Sequence, residues 1–529
     1  MGRHLETCPC RPKSLERGQQ LLQFAQTKLP AASKTRLHNL LKRWLVRDQQ
    51  SLSVLDHPDF RAFLDALPGD YMCPSRKTMT RSILTDFSSS KVAIKTYLAT
   101  LPGRIALTTD GWTAGNGDQF QSLTGHFIDS NWTLHAILLD FAPFPVPHTA
   151  ANAAALIWRT LQELDIDEKV VACVTDNTAS AYNISVDLRN RVAPEHFFGG
   201  RCAAHLVNLV VKHSLDDADR TLIFAKCRAF VSLVHRSKPT EQALIKACET
   251  AGIKYKMPKT VMDVRWNSTL GQLLSLLHLE PALRLLFGER AYRDHAWGEP
   301  VWVAIRDITR ILAIFKDVSE HLQGRKFPTM SVAAEGFVLM TYELNDLAAS
   351  AVLSPWGSEV LKLFQTRLEE YRPHLIDSDV TLWATVLDPT MKKDVIEADG
   401  IHNVRDVVSS LGFHLEARYP NSADVQQAFS TAEPTSNYEK RLKKINSSSR
   451  TTIMVTPRKQ LEMYLAENVI ITSKPTDVLT YWASNESRFP SLAAMARDIL
   501  AIPATTVPSE AAFSRGGELI TKRRNRLGG

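Results

Sequence analysis

The chain has few cysteines and no long apolar stretch. Its seven Cys are an odd number scattered over 529 residues, which argues against a disulfide framework and favours reduced thiols inside a cell. The first twenty residues are polar, and no uninterrupted apolar run reaches the ~18 residues of a membrane-spanning helix. We therefore expect an intracellular protein without a secretory signal or a membrane segment.

The chain also has little excess charge and no internal repeat. Its 63 Lys and Arg against 56 Asp and Glu give a net charge of +7, which by itself does not indicate a nucleic-acid partner. The length is too great for one hydrophobic core, so about two to four domains are expected.

The N-terminal residues 1–13 contain His4 and Cys8 at a spacing that could supply the last two ligands of a zinc site. No upstream pair of ligands is present, so incidental thiols in a charged tail are favoured. Both ends of the chain look cut, since it stops at Gly529 just after a helical pattern.

Residues 14–101 show helical spacing of apolar residues, with an apolar stripe from Leu37 to Leu45. Basic residues surround this stripe. They could contact DNA phosphates, but a solvated face on a packed helix is favoured from charge alone.

Two apolar, β-prone runs are each followed directly by an Asp. The run over 104–109 is followed by Asp110 and a glycine, and the run over 170–175 is followed by Asp176. The surrounding pattern predicts strands at 104–110, 120–128 and 133–141, a helix at 150–164, a strand to Asp176 and a helix from Thr178. This order predicts a mixed sheet with an antiparallel meander followed by parallel crossovers.

A shared pair of carboxylates suggests a divalent metal such as Mg²⁺ or Mn²⁺, which takes oxygen ligands in phosphoryl chemistry. Each Asp alone could equally be a loop-entry residue or a helix cap. A third carboxylate is not decided by spacing, because Glu510 and Glu518 both lie on the last predicted helix.

Two further polar patterns have ordinary structural explanations. Cys202 and His205 are three residues apart at a helix start, and a buried Cys with a hydrogen-bonded His is favoured over zinc. Trp266, next to Arg265, could stack on an unpaired base, but a Trp in the helical core is favoured on composition.

Residues 216–460 are mostly helical in pattern. Residues 431–458 are rich in Ser and Pro and contain a basic stretch at 440–444. They predict an exposed linker, whose basic stretch could equally be a nuclear localisation patch or a chance run of basic residues.

Taken together, five blocks resemble the hAT superfamily of DNA transposases, in the order found in that family. The blocks are Thr109-Asp110-Gly111-Trp112-Thr113, Thr175-Asp176-Asn177-Thr178-Ala179-Ser180, the Cys202-x-x-His205 helix from Arg201 to Leu209, Arg265-Trp266-Asn267-Ser268, and Pro508-Ser509-Glu510 through Leu527.

The resemblance implies an α/β fold: an RNase H-like catalytic domain with a mixed five-stranded sheet, interrupted by an all-helical insertion and preceded by a helical region. The expected domains are a remnant of a BED-type zinc finger at 1–13, a helical DNA-binding or dimerisation region at 14–101, the first catalytic part at 102–270, the insertion at 271–460, and the last catalytic part with the dimerisation region at 461–529.

The resemblance also implies Asp110, Asp176 and Glu510 as an acidic triad that holds two Mg²⁺ or Mn²⁺ ions, with His205 near the site and Trp266 against an unpaired base. Zn²⁺ is expected only if a complete BED finger lies upstream. The expected DNA-contacting residues are Arg201, Arg265, Trp266, Lys522, Arg523 and Arg524.

The implied function is metal-dependent cleavage of transposon ends and strand transfer into target DNA, in the nucleus. The expected partners are DNA, as terminal inverted repeats and target, and further copies of the chain in a homodimer or higher oligomer. The alternative is a domesticated, non-cutting DNA-binding or chromatin-associated regulator derived from a transposase.

Overall fold

A computed structural model describes residues 28–66, 69–144, 146–192, 197–216, 218–261, 266–400, 402–420, 455–471 and 477–519. The zinc-finger remnant at 1–13, Arg265, the linker over 431–454 and Lys522 to Arg524 lie outside the described residues. The chain divides into two compact units, Met1–Tyr97 and Leu98–Gly529.

The first unit contains three described α-helices: α1 (Ala31–Arg47), α2 (Pro58–Asp65) and α3 (Arg76–Ala99). Leu45, Leu55 and Met79 form a small buried core. Some of the basic residues around α1 are paired within the unit, because Lys34 binds Asp70 at 2.6 Å and Lys42 binds Asp86 at 2.5 Å. This pairing agrees with the interpretation that the sequence favours, a solvated charged face on a packed helix.

A five-stranded mixed sheet lies in the second unit, as predicted. The strands are β1 (Ile105–Thr113), β2 (Gln119–Ile128), β3 (Leu134–Pro143), β4 (Val170–Thr175) and β5 (Phe198–Arg201). Their spatial order is β3-β2-β1-β4-β5. The first three strands pair antiparallel, and β4 pairs parallel to both β1 and β5.

Strand β4, which lies between β1 and β5, is buried at every residue, as expected for a parallel strand that is covered on both faces. Helices α4 (Ala150–Leu164) and α5 (Ala179–Arg189) flank it in sequence. The hydroxyl of Thr178 accepts a hydrogen bond from Ala181 N at 3.2 Å, so Thr178 is the N-cap of α5.

The other described helices of this unit follow the sheet in sequence. They are α6 (Ala203–Leu215), α7 (Ala218–Arg236), α8 (Lys238–Ala251), α9 (Trp266–Gly288), α10 (Glu299–Leu322), α11 (Met330–Ala349), α12 (Pro355–Leu375), α13 (Asp379–Leu387), α14 (Asp394–Asp399), α15 (Val404–Arg418), α16 (Pro457–Ala466), α17 (Asp477–Asn485), α18 (Pro490–Ile499) and α19 (Val507–Leu519).

These helices contribute to two hydrophobic cores. One is built mainly from residues between Ala203 and Ile376. The other joins sheet residues such as Ala106 and Val174 to helices that include Leu387 and Ile499. Helices near the C-terminus therefore pack with the sheet, while the predicted domain boundaries stay predictions. Among the described helices, none is long and apolar enough to cross a membrane.

Candidate acidic site

The register between β1 and β4 brings the two strand carboxylates to the same level of the sheet. Ala106 pairs with Ala172, and Thr108 pairs with Val174. Continuing two residues along both parallel strands aligns Asp110 with Asp176, and side chains two positions apart share one face of a strand. Two carboxylates 66 positions apart in sequence (176 − 110) therefore become neighbours.

One expectation about the first carboxylate is wrong: β1 does not end at Asp110. The strand continues to Thr113, because its antiparallel pairing with β2 extends from Ala106 to Thr113. The parallel pairing with β4 stops at Thr108. At Asp110, β1 therefore still pairs with β2 but no longer pairs with β4. The edge of β1 that faces β4 carries no backbone pairing at this residue.

Each of the two Asp side chains is held through one oxygen. Asp110 Oδ1 accepts a hydrogen bond from Gly111 N at 2.8 Å. Asp176 Oδ1 accepts from Thr178 N at 2.9 Å and from the Thr178 hydroxyl at 2.8 Å. No described residue donates a hydrogen bond to Oδ2 of either Asp, so these oxygens can take another ligand.

Glu510 lies in the first turn of α19 and acts electrostatically on Asp110. Burial raises the pKa of Asp110 to about 7, and the charges of Asp176 and Glu510 add to this rise against the opposing Gly111 hydrogen bond. Asp176 and Glu510 therefore lie close enough to Asp110 to disfavour its charged form, as a nearby like charge does.

A buried network of hydroxyl groups connects α19 to the sheet. Thr108 Oγ1 lies 2.8 Å from Ser509 Oγ and 3.0 Å from His126 Nε2. The Ser509 hydroxyl also donates to Thr124 Oγ1 at 3.3 Å. These four side chains, Thr108, Thr124, His126 and Ser509, form the hydroxyl latch.

His126 takes part in the hydroxyl latch as a neutral imidazole. Burial lowers the pKa of this side chain to about 3, because a charged imidazolium is poorly solvated in the protein interior. The latch therefore joins uncharged groups. One of them, Ser509, directly precedes Glu510 in sequence, and another, Thr108, lies two residues before Asp110.

The segment before α19 is anchored at the start of α6. Thr506 N donates to the sulfur of Cys202 at 3.4 Å, and Ala203 N donates to Ala504 O at 2.8 Å. Cys202 is only 1% exposed, which supports the structural explanation of this Cys over a zinc ligand.

The donor set suits a hard divalent cation, although the acids do not form a closed cage. Among the described residues, no three His, Cys, Asp or Glu side chains are grouped closely enough to hold a metal ion as they stand. Mg²⁺ keeps several water ligands and commonly binds through one or two carboxylates. The aligned pair Asp110 and Asp176 fits that mode of binding.

A pocket of about 170 Å³ lies against this pair. The pocket is lined by Asp110 and Asp176, by residues of β2, and by residues where α4 and α5 begin. These include Gln121, His148, Thr149, Thr178 and Ser180. The carboxylates are therefore reachable from one side of the sheet.

The other predicted site residues that the structure describes do not line this pocket. Arg201 ends β5 opposite Thr175, and its guanidinium lies 4.4 Å from the centre of the Tyr182 ring. His205 is half-buried in the first turn of α6 and is not among the described residues that line the pocket. Trp266 begins α9 and packs against the helical core.

Sequence patterns gave no indication of the hydroxyl latch. Thr108, Thr124 and His126 lie on two predicted strands, and Ser509 precedes Glu510 directly. Isolated Ser, Thr and His residues are common in protein sequences. These four residues can therefore be recognised as a network only from their contacts in the folded chain.

Comparison with known proteins gives three matches along the chain. Residues 108–200 match the family model for the ZBED1 RNase-like domain, and residues 200–311 match that for the ZBED1 RNase-like helical domain. Residues 460–529 match the hAT family C-terminal dimerisation region. Together these matches support an hAT-family transposase.

Full-length relatives of this hAT chain agree with the matched regions. A Zea mays protein named "Putative AC transposase" is 26% identical, over 92% of this chain and 62% of its own length. Two Oryza sativa subsp. japonica proteins, zinc finger BED domain-containing proteins RICESLEEPER 2 and RICESLEEPER 1, are 25% and 24% identical over 92% of this chain and 71% of their own lengths.

The chain is therefore similar both to a protein named as a transposase and to proteins named for a BED zinc finger. It spans less than two thirds of the maize relative. The matched C-terminal region is a dimerisation region in this family, which supports oligomerisation.

Proposed function

We propose that this hAT chain is a DNA-cleaving transposase core whose active site consists of Asp110, Asp176 and Glu510. The observation that carries the proposal is that the last β1–β4 pair, Thr108 with Val174, lies two residues before Asp110 and Asp176, which line one pocket. The effect of Glu510 on the ionisation of Asp110 supports the choice of the third acid.

The two Asp residues would hold Mg²⁺ or Mn²⁺, and Glu510 would complete the donor set. Bound divalent ions supply activation of a water or hydroxyl nucleophile and stabilise the leaving oxygen in phosphoryl transfer. Thr178 orients Asp176 through two hydrogen bonds, and Gly111 N–H orients Asp110. These contacts fix one oxygen of each carboxylate before any ligand arrives.

The substrates in this proposal are the terminal inverted repeats of the element and its target DNA, and the chain acts as a homo-oligomer in the nucleus. The matched dimerisation region supports the oligomer. Roles for His205 at the site and for Arg201, Arg265 and Trp266 on DNA belong to the proposal, as do those of Lys522, Arg523 and Arg524.

The test is cleavage of a DNA duplex that carries the inverted repeats flanking the gene, in the presence of Mn²⁺. Asp110→Asn and Glu510→Gln should each reduce cleavage by more than about 100-fold, the upper range for loss of an outer-shell partner. Asp118→Asn is the matched control, because Asp118 is exposed in the β1–β2 connection and hydrogen-bonds Asn116. Undiminished cleavage by Asp110→Asn overturns the assignment.

Metal binding is measured separately from activity. Paramagnetic resonance of Mn²⁺ should show bound ion in the wild-type chain and in Asp118→Asn, and little in the double variant Asp110→Asn/Asp176→Asn. Binding of the duplex without cleavage by the wild-type chain favours the alternative, a non-cutting DNA-binding regulator. One relative, from Talaromyces stipitatus, is 20% identical and bears the name of a transcriptional regulator.

A further inference from the structure

The positive charge of the chain is concentrated in one part of the helical region. Residues 220–261 contain nine Lys and Arg and two Glu, a net charge of +7. The whole chain also has a formal net charge of +7, so the remaining residues are balanced overall. This segment comprises most of α7, all of α8 and the connection that follows α8.

That connection, residues 252–261, lies as an extended strap on neighbouring helices. His235 Nε2 is 2.8 Å from Pro258 O, and His278 Nε2 is 2.9 Å from Lys254 O. Both the N–H and the carbonyl of Lys259 are also bound, at 3.1 Å, by Ser275 Oγ and Gln272 Nε2 respectively. We call residues 252–261 the lysine strap.

The strap presents alternate residues to opposite sides, as an extended chain does. Ile253 and Tyr255 pack against the helical core, whereas Lys254, Lys256 and Lys259 are exposed. The strap thus carries three exposed lysines on a backbone that its hydrogen bonds fix in place.

These lysines have no neutralising partner within the described part of the chain. No ion pair joins Lys254, Lys256 or Lys259 to a described carboxylate. The nearby Glu241 forms an ion pair with Lys238 instead, with 2.6 Å between Glu241 Oε2 and Lys238 Nζ. Exposed lysines elsewhere do pair, for example Lys393 with Glu397 and Lys316 with Glu320.

We propose that the lysine strap is a docking surface for the sugar-phosphate backbone of duplex DNA. Unpaired cations on a fixed backbone bind phosphates with little ordering cost, and such contacts position a protein without reading sequence. The strap leads toward Trp266 at the start of α9, so it would hold the duplex beside the residue proposed to meet an unpaired base. This inference rests on the proposed function, since it assumes that the chain binds DNA.

The test measures binding of a short mixed-sequence duplex to the full chain as a function of NaCl concentration. Each lost phosphate contact lowers the slope of log affinity against log salt by about 0.9. The triple variant Lys254→Ala/Lys256→Ala/Lys259→Ala should therefore bind more weakly, with a slope shallower by about 2 to 3. The corresponding triple Arg variant should keep the wild-type slope.

The matched control removes the same charge from another surface, with Lys326→Ala/Lys362→Ala/Lys393→Ala, whose lysines are also exposed. This variant should keep a slope within about 0.5 of wild type. Thermal melting checks that both triple variants are folded.

The possible failures are distinguishable. If the wild-type chain does not bind the duplex, the DNA-binding part of the proposed function fails. If the wild-type chain binds and the strap variant keeps its slope, or the control variant loses as much, the strap proposal is overturned. Asp118→Asn should bind like the wild-type chain, because it leaves both the strap and the acidic site unchanged.

Discussion

The hydroxyl oxygens of Thr108 and Ser509 lie 2.8 Å apart, although the two residues are 401 positions apart in the sequence. Thr108 is fully buried in β1, two residues before Asp110, and Ser509 is fully buried directly before Glu510. One hydrogen bond thus links the segments that carry the first and the third acid of the proposed site.

We expect Thr108→Val to impair both the stability of the chain and its proposed cleavage activity. The substitution preserves shape but leaves Ser509 Oγ and His126 Nε2 without this partner. Losing one partner of a buried hydrogen bond costs about 1 to 3 kcal/mol in free energy of unfolding. Urea denaturation measures this cost, and Thr108→Ser should recover most of it because the hydroxyl remains.

The control for Thr108 is Thr385→Val in α13. Thr385 is fully buried and donates its hydroxyl to Thr381 O at 2.9 Å. Thr385→Val should also lower stability, yet DNA cleavage in conditions where the chain is folded should fall only for Thr108→Val. Equal cleavage by both folded variants would contradict the latch as a positioning device for Glu510.

Arg497 joins the C-terminal helices to the β2–β3 hairpin and should not tolerate Lys. Its guanidinium lies 4.1 Å from the centre of the Trp132 ring, donates to Glu486 at 2.6 Å, and bonds Asp129 O. Lys cannot reproduce this planar, multidentate contact. Arg497→Lys should therefore lower the free energy of unfolding by about 1 to 3 kcal/mol.

Arg488 provides the comparison for Arg497. It also pairs with a carboxylate, that of Glu467, but its side chain is 48% exposed against 4% for Arg497. Solvent screens such a pair, so Arg488→Lys should change stability by less than about 1 kcal/mol. Chemical denaturation of both variants checks this; similar losses would show that burial of Arg497 adds nothing.

Asp399 should make stability fall in acid. Burial opposes ionisation, but hydrogen bonds from Arg372 and His402 outweigh it and hold the pKa of Asp399 below its usual value. A carboxylate with a lowered folded pKa contributes stability above its unfolded pKa and loses it as pH falls. The stability difference between wild type and Asp399→Asn should therefore shrink below about pH 4.

Asp498 should give the opposite trend with pH. Burial raises the pKa of this carboxyl, against the opposing hydrogen bonds from Arg104 N and the Tyr419 hydroxyl. The folded chain then binds a proton more readily than the unfolded chain, so protonation favours folding. The stability of wild type relative to Asp498→Asn should rise as pH falls toward about 4. A shared direction for both variants would show that the two environments do not differ as described.

The sequence alone determined the elements that local patterns encode. The order of strands and helices along the chain and the helix Ala150–Leu164 follow from apolar periodicity over a few neighbouring residues, and the same pattern drew attention to Asp110 and Asp176. The end of β1 was misjudged because Gly111 looked like a terminator, whereas pairing with β2 extends the strand to Thr113.

The tertiary structure alone decided how distant segments meet. Periodicity could not choose between Glu510 and Glu518, because each is a polar residue on a single helix. The position of Glu510 depends on the docking of α19 and the segment before it, in which Ser509 and Thr506 contact Thr108, Thr124 and Cys202, hundreds of residues away. Spacing along the chain carries no record of such contacts, since they arise only when the sheet and the C-terminal helices share one core.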